Sequence, residues 1–303
     1  MNISNAFHRN PFLFAIPFVA AACVAWPAMV AFAAEPREIP LWPEGVPEPT
    51  VPAEPVESVE KKPDGIQRRS NVSKPRLVVY DIPRENSVKQ RPAVVVVPGG
   101  GFSILADEHE GSDACRWLNE NGFVSFLVLH RVPTGKMPKP NAAPVQDIQK
   151  SVQEVRRRAA EFQIDPSRIA VLGFSAGGQA TLVAATNPPT FPGADAAVPV
   201  KPDAVLLLYA WKIVGDGNVG LRSDVTIDGS TPPMFIAQCG DDPGSVPQGS
   251  ANLYLKLVEA KVPAEIHVYE KGGHGYGLKA GNTLPGQIDW KPRAIDWLRS
   301  RGW

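Results

Sequence analysis

Apolar runs alternate with amphipathic segments along most of the chain. Runs without polar interruption predict strands that are buried on both faces of a sheet. The predicted strands cover residues 76–80, 93–97, 123–129, 168–172, 204–209, 234–239 and 264–270. The predicted helices cover residues 113–121, 145–162, 175–185, 248–260 and 288–301. This alternation predicts one α/β domain over residues 65–303, with a mainly parallel central sheet and helices on both faces.

The first segment of the chain has the pattern of a targeting sequence. His8 and Arg9 precede an apolar stretch that ends in Ala31-Phe32-Ala33, a typical signal-peptidase site. We therefore expect residues 1–33 to be a signal peptide and the mature protein to be secreted or periplasmic, without stable membrane insertion. An uncleaved transmembrane anchor is the alternative, which the prolines inside the apolar stretch disfavour.

Residues 34–64 form a proline-rich N-terminal arm. Proline lacks the amide donor that a helix interior or a central strand requires, so neither is expected in this segment. The apolar cluster Ile39-Pro40-Leu41-Trp42-Pro43 favours an arm anchored on the domain over a disordered linker. The sequence leaves open whether the arm also shapes a cleft.

Composition narrows the class of partner. The 31 basic and 31 acidic residues cancel, whereas binding to nucleic acid or to an anionic membrane needs a basic surplus. After the expected signal peptide the cysteines are Cys115 and Cys239, which we expect to be buried free thiols. No Cys/His spacing is typical of a zinc site. We predict neither a metal nor a cofactor, and the sequence does not specify an oligomeric state.

The segment Gly173-Phe174-Ser175-Ala176-Gly177 contains the G-x-S-x-G pattern. This pattern is short enough to arise by chance, but here it follows an apolar strand and opens a helix, as a nucleophile elbow does. The two glycines permit the tight turn, and the helix N-terminus favours negative charge beside Ser175. We therefore predict that Ser175 is a catalytic nucleophile. A helix start without chemistry is the alternative.

A glycine-rich loop, Pro98-Gly99-Gly100-Gly101-Phe102, follows the predicted strand 93–97. A phosphate-binding loop is disfavoured because no G-K-[ST] follows. Beside a serine nucleophile, Gly100 or Gly101, or both, would donate amides to an oxyanion together with the amide of Ala176. The loop is thus a candidate oxyanion hole.

A serine nucleophile requires a base and an orienting acid. His274 lies in a glycine-rich loop after the last predicted strand, the usual place of a hydrolase base. His109 is the alternative base, or else a substrate contact or a salt-bridged surface residue. Asp241 and Asp242 follow the strand 234–239, which keeps the chain order Ser, Asp, His. We predict Asp242 as the acid and Asp241 as a turn or cap residue.

Taken together, these motifs resemble the acetylxylan esterase-like, or XynB-like, esterases with the α/β-hydrolase fold. The resemblance rests on residues 98–102, 174–178, 241–243 and 273–275, and extends to 39–45 and 164–169. It implies a Ser175–Asp242–His274 triad and an oxyanion hole at the glycine loop. The chain departs from the family at Pro98 and Gln179, where histidine is frequent, and at Gly244-Ser245, where bulkier apolar residues are common.

The resulting expectation is a secreted serine ester hydrolase. The resemblance implies acetylated xylan, or a related polysaccharide or oligosaccharide, as substrate. Phe102, Trp211 and Tyr276 lie near predicted strand ends and could stack on sugar rings, with core packing as the alternative. Glycoside hydrolysis has no support, because it needs two carboxylates across a cleft. The rival hypotheses are a prolyl-oligopeptidase-like serine peptidase and a catalytically dead carbohydrate-binding homologue.

Overall fold

The computed structural model describes residues 37–82 and 90–303, together with Met1. The predicted signal peptide and its cleavage site fall on residues outside these ranges. The strands are β1 (Glu38–Pro40), β2 (Ser58–Lys61), β3 (Gln67–Ser70), β4 (Arg76–Tyr80), β5 (Arg91–Val97), β6 (Val124–Leu129), β7 (Ile164–Phe174), β8 (Ala204–Leu208), β9 (Met234–Cys239) and β10 (Ala264–Tyr269). The α-helices are α1 (Asp113–Glu120), α2 (Ala142–Arg157), α3 (Ala159–Phe162), α4 (Ser175–Thr186), α5 (Pro247–Glu259), α6 (Pro285–Ile288) and α7 (Trp290–Ser300). Shorter helical turns cover Glu108–Ser112 and Asp216–Asn218.

An eight-stranded sheet lies at the centre, in the order β1-β4-β6-β5-β7-β8-β9-β10. Neighbouring strands are parallel from β6 to β10, whereas β4 and β1 are antiparallel to their neighbours. The sheet is therefore mainly parallel, which confirms the predicted α/β architecture.

Strand β5 shows how the sheet is buried on both faces. Side chains alternate between faces along a strand, so Val94 and Val96 pack in a cluster with α1 and α7. Val95 and Val97 pack on the opposite face with α2 and α4. Because helices cover both faces, the carboxyl ends of the parallel strands are left as the place for a site.

Two predicted elements differ from the structure by more than two residues at one end. The helix predicted at 145–162 is two helices, α2 and α3, with Arg158 between them at φ −96° and ψ 17°. The strand predicted at 168–172 runs from Ile164 to Phe174. Pro166 lies in the stretch where the pairing of β7 with β5 shifts register, so its missing N–H interrupts no regular pairing.

The proline-rich arm is anchored at several points, as its apolar cluster predicted. Strand β1 pairs with β4 at the sheet edge, and Ile39 and Leu41 are buried. The fully buried Arg131 is paired with Asp147 and donates to the carbonyl oxygens of Pro47 and Pro49 at 2.6 and 2.8 Å. A disordered linker is therefore wrong for the described part of the arm.

The predicted boundary between residues 64 and 65 lies inside a hairpin of the structure. It falls in the turn of the hairpin formed by β2 and β3. Arg69 of β3 bonds Glu57 and the buried Asp107, so the hairpin is tied both to the arm and to the rest of the domain. The described arm and the residues after 65 thus form one continuous folded unit.

Both predicted thiols are buried and free. Burial raises the pKa of Cys115 to about 12 and that of Cys239 to about 11, which makes each a poor nucleophile. Among the described residues, no helix combines the length and the hydropathy needed to cross a membrane.

Candidate active site

Ser175 lies at the sharp turn between β7 and α4, as predicted for a nucleophile elbow. Its φ of 50° is in the left-handed region, and its exposed fraction is 7%. A Cβ at Gly177 would collide with the carbonyl oxygens of Val97 and Pro98, and one at Gly173 with Thr181. The two glycines are therefore needed because the elbow packs directly against neighbouring backbone and helix atoms.

The structure brings the three predicted triad side chains into a hydrogen-bonded chain. His274 Nε2 lies 2.8 Å from Ser175 Oγ, and His274 Nδ1 lies 2.8 Å from Asp242 Oδ2. With its proton on Nδ1, His274 donates to the carboxylate and leaves Nε2 free to accept the serine hydroxyl. This is the geometry that activates a serine for acyl transfer.

The acid loop holds Asp242 in one orientation. Oδ1 accepts the backbone N–H groups of Gly244 and Ser245 at 2.7 and 2.8 Å. Oδ2 accepts from Gln238 Nε2 at 3.1 Å, in addition to the histidine. Four donors therefore surround this buried carboxylate, which offsets the cost of removing it from water.

Asp241 has a different task in the same loop. Its Oδ1 accepts the backbone N–H groups of Gly272 and Gly273 at 3.0 and 2.8 Å, so it holds the start of the loop that carries His274. The prediction of Asp241 as a turn residue agrees with this placement. Gly244 also explains a departure from the family pattern, since a Cβ there would press on the His274 ring at 3.0 Å.

The other described histidines are placed away from the serine hydroxyl. His109 is buried rather than on the surface, and its Nε2 lies 3.8 Å from Glu110. Burial lowers its pKa, which favours the neutral ring. His130 contacts the carbonyl oxygens of Pro98 and Arg131, and His267 contacts Glu265. Among the described histidines, only His274 is within hydrogen-bond distance of the Ser175 hydroxyl.

The glycine loop lies opposite the serine, along the wall of one cavity. Gly100 has φ 133° and Gly101 has φ 62°, both unfavourable for other residues. The N–H of Gly99 donates to Glu110 at 2.8 Å and is therefore already paired. Ala176, the third predicted donor, is the buried second residue of α4. Gly100 and Gly101 remain the loop candidates for an oxyanion hole, together with Ala176, which directly follows the serine.

The cavity at the serine has a volume of about 380 Å³. Its wall includes residues from the hairpin of β2 and β3, the glycine loop, the turn 108–112 and the loop around His274. Its lining residues are Ile66, Arg68, Gly100, Gly101, Ile104, Ala106, His109, Glu110, Ser175, Trp211, Gly244, His274, Gly275 and Lys279. None of these lining residues lies within 34–64; Ile66 and Arg68 come from the second half of the hairpin that the end of the arm forms with β3.

The three aromatic candidates for substrate contact differ in how much of each ring is exposed. Trp211 lines the cavity and is half-buried. Phe102 and Tyr276 are each only 2% exposed, which leaves little ring surface for stacking on a sugar and favours the alternative of core packing. Gln179, another departure from the family, donates to the carbonyl oxygen of Trp211 at 2.9 Å and so fixes the backbone beneath that ring.

Two residues around the site escaped the sequence reasoning. Glu110 lines the cavity and contacts both the glycine loop and Tyr209. The ring of Tyr209 lies edge-on to that of His274, with centroids 5.1 Å apart. The position of Tyr209 could have indicated a role at the site. It directly follows the buried strand β8, which pairs with β7, and the elbow follows the carboxyl end of β7. In residues 37–82 and 90–303, no group of three or more His, Cys, Asp or Glu side chains is arranged to hold a metal ion.

Comparison with known proteins shows similarity to a family model and to a solved ester hydrolase. The family model BD-FAE matches residues 80–195, which include the glycine loop and Ser175 and end before Asp242. The solved acetyl ester-xyloside bifunctional hydrolase of Caldicellulosiruptor lactoaceticus is 29% identical, with a TM-score of 0.69 over 89% of this chain and 98% of that one. The chain has the α/β-hydrolase fold and is similar to acetylxylan esterase-like hydrolases.

Curated relatives of this chain are longer proteins. An acetylxylan esterase of Xylanibacter ruminicola is 29% identical over 209 residues, which are 61% of this chain and 41% of that protein. Endo-1,4-beta-xylanase B of Butyrivibrio fibrisolvens is 26% identical over 66% of this chain and 34% of that protein. The chain thus spans less than half the length of the curated relatives that it matches. An esterase from Thermogutta terrifontis, 21% identical with a TM-score of 0.64, shares the fold over 83% of this chain.

Proposed function

We propose that this protein is a serine carboxylic-ester hydrolase that removes acetyl groups from xylan or a related polysaccharide or oligosaccharide. The observation that carries the proposal is the chain of 2.8 Å contacts from Ser175 through His274 to Asp242, at the wall of an open cavity. The acetyl-ester activity named for two relatives supports the substrate class. Export through the N-terminal segment belongs to the same proposal, since such a polymer lies outside the cell.

The chemistry follows from the geometry of the three side chains. His274 Nε2 takes the hydroxyl proton as Ser175 Oγ bonds to the ester carbonyl carbon. The amide of Ala176 and one or both of the Gly100 and Gly101 amides stabilise the oxyanion. His274 returns the proton to the leaving sugar oxygen, and the acetyl group stays on Ser175. Water then gives a proton to the same histidine and its oxygen to the acyl carbon, which releases acetate and restores the serine.

The lining of the cavity disfavours glycoside hydrolysis as the reaction at this site. That reaction uses a pair of carboxylates flanking the scissile bond, whereas Glu110 is the only carboxyl side chain among the described lining residues. Glu110 is moreover occupied by Gly99 and Tyr209. The relatives named for xylanase or xyloside activity make this a rival that deserves a direct assay.

A three-substrate assay tests the proposal. We expect acetate release from acetylated xylo-oligosaccharides, with no cleavage of a dipeptide amide or of p-nitrophenyl xyloside. A fluorophosphonate probe should label the protein in one-to-one stoichiometry at Ser175. Cleavage of the dipeptide amide in preference to the acetyl ester would favour the peptidase. Absence of both labelling and hydrolysis would favour a dead carbohydrate-binding homologue.

Trp211 gives a more specific prediction about the sugar. We expect Trp211→Ala to raise KM for acetylated xylo-oligosaccharides by about 5- to 10-fold, the effect of losing one aromatic contact. The main-chain bond from Trp211 N–H to Ser175 O does not depend on the side chain, so the elbow should persist. KM for p-nitrophenyl acetate should change by less than about 2-fold, since this substrate has no sugar ring to stack. Steady-state kinetics on the two substrates checks this.

The matched variant for this test is Trp211→Phe, which keeps an aromatic face. It should restore most of the affinity for the oligosaccharide. Equal changes in KM for both substrates would instead assign Trp211 to packing against Phe102, whose ring centroid lies 6.1 Å away.

A further inference from the structure

A buried carboxyl group lies beside the triad. Glu110 is 2% exposed, although it borders the cavity. Its Oε2 accepts the N–H of Gly99 at 2.8 Å, and its Oε1 accepts the hydroxyl of Tyr209 at 2.9 Å. Among the described residues its only ion-pair contact is the long one of 3.8 Å to His109. Burying a carboxyl group costs folding free energy unless all of its oxygens are hydrogen-bonded. We therefore looked for a functional role of Glu110 in the contacts it makes.

Tyr209 connects the same carboxyl group to the other loops of the site. Its hydroxyl oxygen also accepts the N–H of Gly277, in the loop that carries His274, at 2.9 Å. Its carbonyl oxygen accepts the hydroxyl of Ser245, in the loop that carries Asp242, at 3.1 Å. Tyr209 has φ 39°, a strained value for a residue other than glycine. Strain of this kind persists where surrounding contacts determine the conformation, and it is common at functional sites.

We propose that Glu110 and Tyr209 form one positioning unit, in which hydrogen bonds tie the glycine loop, the acid loop and the base loop to each other. This inference rests on the proposed ester hydrolysis and deepens it. The side chain of Glu110 fixes Gly99, next to the candidate oxyanion donors Gly100 and Gly101. The tyrosine hydroxyl fixes Gly277, and its ring supports the edge of His274. Neither residue touches the reacting atoms, so both act through the groups they orient.

The unit should matter most in the transition state. The oxyanion forms only as the ester carbon becomes tetrahedral, and its donors must already point at it. A shift of the glycine loop relative to His274 therefore lowers kcat, while the ground-state contacts of the sugar with the cavity wall persist. This separates a positioning role from a binding role, which would appear in KM.

The chain allows the side chain to be tested without losing the turn that carries it. Leu278 N–H donates to the carbonyl oxygen of His109 at 2.8 Å, so the backbone of the turn 108–112 is held against the base loop by a bond of its own. Glu110→Gln keeps the size of the side chain but leaves one acceptor oxygen where there were two. It therefore cannot accept from both the Gly99 amide and the Tyr209 hydroxyl.

The experiment measures kcat and KM for p-nitrophenyl acetate in Glu110→Gln, Tyr209→Phe and the double variant. We expect kcat to fall by about 10- to 100-fold in each single variant, a loss of the same size as that caused by removing the partners that orient metal ligands. KM should change by less than about 3-fold. Because the two residues share one hydrogen bond, the loss in the double variant should be clearly smaller than the product of the two single losses.

Glu108→Gln is the matched control. Glu108 lies in the same turn but contacts Lys61 at 3.0 Å, outside the lining of the serine cavity. Its kcat should stay within about 2-fold of the unchanged protein. Fluorophosphonate titration counts competent sites, so kcat is expressed per folded active site. If Glu110→Gln does not fold, Tyr209→Phe alone decides, since it keeps the ring and removes only the hydroxyl.

Two results would overturn the positioning unit. One is an unchanged kcat per titrated site in the variants, which would make Glu110 and Tyr209 purely structural. The other is a fold-decrease in kcat of the double variant that equals the product of the fold-decreases of the two single variants. That result would show that the two residues act independently. Failure of the proposed hydrolysis itself looks different, because the unchanged protein would then neither label nor turn over the ester.

Discussion

Replacing Ser175 with alanine should lower kcat for p-nitrophenyl acetate by at least about 10⁴-fold, the scale on which hydrolases lose activity without their nucleophile. The substitution removes one oxygen and leaves the elbow backbone in place, because the turn depends on Gly173 and Gly177. The hydroxyl contact with His274 is the only one given up. We therefore expect circular dichroism and the melting temperature to remain close to those of the unchanged protein.

Ser167→Ala is a suitable control for the loss of a hydroxyl group. Ser167 lies on the same strand as the elbow, near its start, and its exposed hydroxyl contacts only the neighbouring Asp165. Its activity should match that of the unchanged protein. Full activity in folded Ser175→Ala would remove the serine from the chemistry altogether.

The second large effect is expected from Asp242→Asn. The Oδ1 position accepts two backbone N–H groups, so the single oxygen of asparagine should remain there. The new NH₂ group would then face His274 Nδ1, which must become an acceptor and carry its proton on Nε2. Such an imidazole cannot take the proton of Ser175, and kcat should fall by about 10³- to 10⁴-fold, as for an orienting aspartate in a serine protease.

Asp241→Asn provides a neighbouring control with the same chemical change. Both bonds of Asp241 are accepted by one oxygen, Oδ1, from the amides of Gly272 and Gly273. An asparagine oxygen can accept both, so kcat should change by no more than about 3-fold. Assays of the two variants decide between the adjacent aspartates; a larger loss in Asp241→Asn than in Asp242→Asn would reverse the assignment.

Much of the fold could be predicted because apolar patterning is a local signal. Residues 93–97 form an uninterrupted apolar run, and the structure buries alternate members against helices on each face. The predicted first and last residues of an element were less accurate where contacts with distant parts of the chain determine its length. The start of β7 at Ile164 depends on pairing with Arg91, which no pattern within 164–174 encodes. The arm likewise belongs to the domain through Arg131, whose contacts lie more than eighty residues away in sequence.

In the site, too, some features were predictable from local sequence and others depend on contacts between distant residues. The order of Ser175, Asp242 and His274 along the chain was enough to select residues that the structure places in contact. The direction of a side chain at a strand end was not predictable, and Phe102 and Tyr276 therefore proved to be interior residues. Glu110 and Tyr209 were missed because their bond joins positions 99 residues apart. Such a contact exists only once the sheet has formed.

The hairpin of β2 and β3 offers a route to new specificity by protein engineering. Ile66, in the connection between these two strands, and Arg68, in β3, contribute to the cavity wall from outside the central sheet. Surface connections tolerate changes in length and composition far better than buried strands. A library confined to residues 62–66 would therefore recontour one side of the substrate cleft while leaving the nucleophile, its base and their hydrogen bonds untouched.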